Sequence, residues 1–121
     1  MKKFILLIED NEPIRENTAE LLELADYEVL AANGGKNGLE MISERKPDLI
    51  LCDIAMPQMD GYEFLRAVRE DYGLSSTPFI FFTAFSEKSD IQKGLKLGAN
   101  DFVVKPFEPD ELISLIGRYV G

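Results

Sequence analysis

Five short apolar runs, each followed by a segment with helical apolar spacing, leave this chain few folds to adopt. The runs cover residues 4–8, 27–32, 49–52, 79–82 and 102–104, rich in Ile, Val, Leu and Phe without strict alternation. Runs of that kind suit parallel strands with helices on both faces, because neither face of such a sheet meets water. The segments between them carry helix punctuation. Pro13 suits a first helical turn, and Ile14, Thr18, Leu21, Leu22 and Ala25 follow on one face. Asn33-Gly34-Gly35 turns into a helix with Leu39 and Ile42 inward, and Pro47 stops it. Gly61 precedes a third helix that turns Phe64, Leu65 and Val68 inward. Pro109, Asp110 and Glu111 open the last helix, where acids favour the helix dipole, and Leu112, Ile113, Leu115 and Ile116 face the core. The fourth helix, residues 87–97, has Ile91, Leu95 and Leu97 as its main anchors and Gly94 in its middle, which costs about 1 kcal/mol relative to alanine. It is expected to be the most mobile of the five.

A chain of 121 residues is long enough for one hydrophobic core and too short for two, so residues 1–121 read as one domain without repeat or linker. Net charge −9 argues against direct nucleic-acid binding and against anionic membrane surfaces. The longest apolar runs are strand-length, and Met1-Lys2-Lys3 leads straight into the first of them, so the expected location is the cytoplasm. A lone Cys52 forms no internal disulfide, and the absence of histidine removes the Ser-His-Asp triad and the usual zinc sets. Carboxylate, hydroxyl and lysine remain for chemistry.

In an open parallel sheet the loops leaving the carboxyl ends of the strands converge on one crevice. Those ends hold Glu9 and Asp10, then Asp53, then Thr83 and Ala84, then Lys105-Pro106. Two unit charges about 5 Å apart repel by about 3 kcal/mol at an effective dielectric of about 20, so clustered acids need a cationic answer. Lys105 supplies one fixed charge, and a hard divalent ion with oxygen ligands, magnesium first and manganese as a substitute, supplies the rest. A metal ion and a lysine on opposite sides of a phosphoryl group suit phosphoryl transfer.

Glu9-Asp10, Asp53 within DIAMPQMDGYEFL, Thr83-Ala84 and Lys105-Pro106-Phe107 together resemble the signature of response regulator receiver domains, over essentially the whole chain. The resemblance implies a flavodoxin-like doubly wound α/β fold with five parallel strands in the order 2-1-3-4-5 and five helices. It implies Asp53 as phosphoacceptor, with Glu9, Asp10, Asp53 and the carbonyl of Ala55 around Mg2+, and Asp10 ranked above the longer Glu9. Thr83 and Lys105 would each bind a phosphoryl oxygen, Thr83 and Phe102 would form the switch, and Lys105-Pro106 would be cis. The chain would catalyse its own phosphorylation from a histidine kinase or histidine phosphotransfer domain and its own slow dephosphorylation, without turnover as a conventional enzyme. Phosphorylation would reshape the face of helix 4, strand 5 and helix 5 for an effector the sequence does not name, and a phosphorylation-dependent homodimer is compatible with it. Ala55 and Phe85, unable to hydrogen-bond an attacking water, imply a long-lived phosphoryl-aspartate.

Blander readings exist for each residue. Glu9 and Asp10 could cap the first helix, Lys105 could be a surface lysine, Thr83 and Phe102 plain strand residues, and Cys52 reads as a small buried hydrophobe. Gly34, Gly35 and Gly38 fit neither nucleotide fingerprint. A flavin carrier on the same fold is disfavoured by the acidic first loop, and an aspartyl phosphatase by Ala55 where a second acid is wanted. The remaining alternative is a receiver-like binding module that works without phosphorylation.

Overall fold

The computed structural model describes residues 2–84 and 88–120. Strands and helices alternate along the chain as β1 (Phe4–Ile8), α1 (Glu12–Leu24), β2 (Glu28–Ala32), α2 (Gly35–Glu44), β3 (Leu49–Cys52), α3 (Gly61–Glu70), β4 (Phe79–Thr83), α4 (Lys88–Leu97), β5 (Asp101–Val104) and α5 (Pro109–Val120). All pairings are parallel, in the order β2-β1-β3-β4-β5. This is the doubly wound arrangement and strand order that the resemblance implied.

The absence of alternation in the sequence has a direct cause. β1, β3 and β4 are central and every residue in them is buried. Successive side chains feed two separate cores. On one face Leu6, Ile8, Ile50, Cys52, Phe79 and Phe81 pack with Ile42 of α2 and Phe64, Leu65 and Val68 of α3. On the other, Ile5, Leu7, Leu49, Leu51, Ile80 and Phe82 meet Leu22 of α1 and Leu112, Leu115 and Ile116 of α5. The outer strands differ. In β2 only Ala32 is buried and Leu30 is 41% exposed, because an edge strand lacks a neighbour on one side.

Capping sharpens the helix starts. Asn11, not Asp10, caps α1, its Oδ1 accepting from the Ile14 amide at 3.0 Å, with Pro13 in the first turn. Asp60 and Glu63 form a reciprocal capping box at α3, with Glu63 N–H donating to Asp60 Oδ1 at 2.8 Å and Asp60 N–H to Glu63 Oε1 at 3.1 Å. That box ends the loop leaving β3 and holds α3 against it. In α4 the expected anchors are only partly realised, for Leu95 is 45% exposed and Gly94 is the one buried residue. Glu87, the expected first residue of that helix, lies outside the described residues. Among the described residues no helix is long and apolar enough to cross a membrane.

Candidate functional site

The hydrogen-bond ladders of the sheet run one step past the strand ends, and this step builds the site. Glu9 N–H donates to Ala32 O at 3.1 Å, Asp53 N–H to Ile8 O at 3.0 Å and Lys105 N–H to Thr83 O at 2.8 Å. With Ile8 opposite Cys52 and Thr83 opposite Val104 in the parallel register, Glu9, Asp53, Thr83 and Lys105 stand on four neighbouring strands at the same edge.

Their side chains converge. Lys105 Nζ donates to Glu9 Oε1 at 2.6 Å and to Asp53 Oδ2 at 3.2 Å. Asp53 Oδ1 accepts from the Ile54 amide at 2.8 Å, which fixes the rotamer, and Glu9 Oε2 accepts from Asn11 N–H at 3.1 Å. Arg15 of α1 braces the acidic loop by donating from Nη1 to the Glu9 carbonyl at 2.9 Å. Glu9, Asp53 and Thr83 are buried while Asp10 is exposed. Thus Glu9 is turned into the crevice and Asp10 stands at its mouth. Ala55 lies two residues beyond Asp53 with its side chain exposed, and Phe85 lies outside the described residues. The Lys105-Pro106 peptide is cis.

One carboxylate oxygen each from Glu9, Asp10 and Asp53 lies within 4.8 Å of the other two. Among the described residues three acids against one lysine leave, when all are ionised, an excess of two negative charges, which a single divalent cation neutralises. The donors are all hard oxygens, and exposed Asp10 leaves room for water, which suits Mg2+ better than a soft or nitrogen-seeking metal. The fit is therefore good on the chemistry of the donor set.

Glu9 is strongly perturbed by its surroundings. Burial above all, with repulsion from Asp53, pushes its carboxyl from the ordinary 4.5 up to about 7, although the hydrogen bonds from Lys105 and the Asn11 amide pull the other way. A carboxyl with a raised folded-state value favours folding in its protonated form. Its contribution to stability is complete below pH 4.5 and is lost as pH rises through about 7. Metal-free protein is therefore expected to lose on the order of 2 kcal/mol between pH 5 and 8. Millimolar magnesium should remove that loss, because the cation needs Glu9 ionised. Urea denaturation at both pH values, with magnesium and with a chelator, measures the effect, and an equal loss in both conditions would assign it to another group.

Phe102 of β5 is half-buried, its ring centroid 5.3 Å from that of Phe81. Against those two rings lies the backbone of Gly94, where an added methyl would sit 2.8 Å from Phe102 Cζ and 3.0 Å from Phe81 Cε2. The glycine that weakens α4 thus lets it approach the sheet, a role its position in the sequence did not disclose. Two further residues escaped the sequence reading. Tyr62 of α3 donates its hydroxyl to the Asp90 carbonyl of α4 at 3.1 Å, and Arg69 makes five hydrogen bonds around the far end of α4. Their acceptors are nearly all main-chain carbonyls, which every residue has, so no pairing pattern marks them.

Known proteins resemble this chain in both fold and sequence. The family model described as response regulator receiver domain matches residues 5–117. The phosphate regulon transcriptional regulatory protein PhoB of Pseudomonas aeruginosa is 41% identical over 112 residues, which is 93% of this chain and 49% of that protein. The transcriptional regulatory protein CrdR of Helicobacter pylori is 38% identical over 119 residues, 98% of this chain and 55% of that protein. The chain thus spans about half the length of these curated relatives. The chemotaxis protein CheY4 of Vibrio cholerae superposes with a TM-score of 0.93 at 32% identity, covering 98% of this chain and 99% of that one. With the family match spanning nearly every element and the strand order the same, the chain belongs to the response regulator receiver domains of two-component systems.

Proposed function

We propose that this chain is a phosphorylation switch that accepts a phosphoryl group on Asp53 from a phosphohistidine of a kinase or phosphotransfer domain. The observation that carries the reading is the double engagement of Lys105, 3.2 Å from Asp53 and 2.6 Å from Glu9, at the mouth of a three-acid cluster. An Asp53 carboxylate oxygen forms the new O–P bond while the donor's N–P bond breaks, and the electron pair leaves on the imidazole nitrogen. Mg2+ held by Glu9, Asp10, Asp53 and the Ala55 carbonyl would supply charge neutralisation at the phosphoryl oxygens. Lys105 would move its hydrogen bond from the carboxylate to a phosphoryl oxygen, so its charge is already oriented when the reaction begins. The Thr83 hydroxyl would bind a further phosphoryl oxygen.

The switch would run from Thr83 to Phe102 and reach the surface through α4, β5 and α5. Leu95 and Val104, 45% and 36% exposed, give that face apolar surface for an effector or a second copy of the chain. An anionic chain with this surface would act by protein contact, in the cytoplasm where kinases have ATP. The side chain of Ala55 offers no group to orient an attacking water, which supports a phosphoryl-aspartate that persists for minutes or longer. The test is incubation with acetyl phosphate and magnesium followed by intact mass. A gain of one phosphoryl group that disappears with chelator supports the reading, and no gain at saturating donor refutes it in favour of a phosphorylation-independent binding module.

A further inference from the structure

Among the described residues the two ends of α4 are held very differently. Its own side chains anchor it weakly, since Gly94 is buried and has none, Ile91 and Leu97 are half-buried and Leu95 is exposed. At the carboxyl end stands Arg69 of α3. Its Nη1 donates to the carbonyls of Leu74 and Thr77 at 2.5 and 2.6 Å, and Nε and Nη2 donate to the Gly98 carbonyl at 3.3 and 2.8 Å. Nη2 also reaches Asn100 Oδ1 at 3.0 Å, and that oxygen accepts from the Phe79 amide of β4 at 2.9 Å. Five bonds from one rigid guanidinium tie the end of α4 to α3, to the loop before β4 and to the start of β5.

Among the described residues the first turn has a lighter attachment. The Tyr62 hydroxyl donates to the Asp90 carbonyl at 3.1 Å, and the Lys93 ammonium lies 4.3 Å from the centre of the Tyr62 ring. That ring stands edge-on to Phe81 with centroids 5.6 Å apart, and Phe81 in turn touches Phe102. Tyr62, Phe81 and Phe102 therefore form one line of packed rings from the first turn of α4 to β5, with the Gly94 backbone resting on its inner half.

We propose that Tyr62 is a positioning residue whose hydroxyl latches the first turn of α4 in the unphosphorylated arrangement, while Arg69 holds the opposite end as a pivot. The inference rests on the reading of Asp53 as phosphoacceptor. A bond made only in the latched arrangement stabilises that arrangement alone. Removing it raises the population of the released form, and phosphoryl uptake through that form rises by the same factor. The loss of one hydrogen bond between neutral groups corresponds to about fivefold.

Tyr62→Phe is the test, because it keeps the ring, its contact with Phe81 and the surface beneath Lys93, and deletes only the hydroxyl. Expected are amide exchange about fivefold faster in α4 and phosphoryl uptake from acetyl phosphate, with magnesium, about fivefold faster than wild type. Ser43→Ala deletes a hydroxyl from α2, away from the switch face, which bonds Leu39 O at 3.0 Å, and should leave uptake at the wild-type rate. Uptake at the wild-type rate in Tyr62→Phe, even with faster exchange in α4, overturns the latch and leaves the role of Asp53 standing. Equal acceleration in both variants overturns it as well. A wild-type chain that takes up nothing removes the phosphoacceptor reading and the latch together.

Discussion

The Asp53→Asn chain is expected to take up no phosphoryl group under conditions in which the wild type gains one, while melting within about 3 °C of it. The chemical half of this expectation follows from the atom replaced. An oxygen of the anionic carboxylate attacks phosphorus, whereas a neutral amide does not, and the amide also removes one of the three acids that would hold the cation. The structural half follows from the neighbours. Asparagine Oδ1 can still accept from the Ile54 amide, which holds the carboxylate now at 2.8 Å. Its amide nitrogen cannot accept from Lys105, so that contact is lost, but Lys105 retains Glu9 at 2.6 Å. Loss of the Asp53 charge also relieves one of the repulsions acting on Glu9, which offsets the missing bond. Intact mass reads the first outcome and a thermal melt the second. A variant that gains mass would move the phosphoacceptor elsewhere, and one that unfolds would make the mass result uninformative about chemistry.

Among the described glycines, Gly61→Ala should be the most damaging substitution. Gly61 opens α3 directly beneath the Asp53 loop, and its amide donates to the Ile54 carbonyl at 2.8 Å. A Cβ there would press on the Asp53 carbonyl oxygen, stand 2.8 Å from Ile54 Cα and lie 2.9 Å from the Phe81 ring. Two of those three obstacles are backbone, and the third is a fully buried ring, so little can yield. A cost of about 3 kcal/mol and a melting temperature lower by roughly 10 °C are expected. Phosphoryl uptake should fall as well, because the only way to make room is to shift the backbone that carries Asp53. Gly34→Ala is the matched comparison. Gly34 has extended backbone and nothing within 4 Å of an added Cβ, and the change should be nearly neutral. Similar melting temperatures for the two variants would show that the loop after β3 is softer than its packing implies.

Local pattern was sufficient for the elements and the class of fold. Unbroken apolar runs at 4–8, 49–52 and 79–82 demand cover on both faces, and helical spacing between them supplies that cover, so a parallel sheet follows from short-range physics. The gathering of Glu9, Asp53, Thr83 and Lys105 was legible for a related reason, since each follows or ends a strand and parallel strands end on the same side. The distribution of work within the acidic pair was not legible. Glu9 and Asp10 are adjacent, and their order in the chain does not say which one turns inward. The extension of the β1 ladder by the Glu9–Ala32 hydrogen bond and the capping of α1 by Asn11 decide it, burying Glu9 and exposing Asp10.

The attachment of α4 shows the same division more sharply. Its sequence discloses a weak helix with a central glycine and too few apolar side chains. That the glycine seats it against Phe81 and Phe102 depends on how the helix packs on the sheet, and that Tyr62 holds one end and Arg69 clasps the other depends on contacts between segments about 30 residues apart. Periodicity and capping act over one or two turns and so are written in neighbouring residues. A hydroxyl or guanidinium that binds a main-chain carbonyl imposes no residue type on its partner, and such bonds come into being only when the packed sheet brings distant backbone within reach.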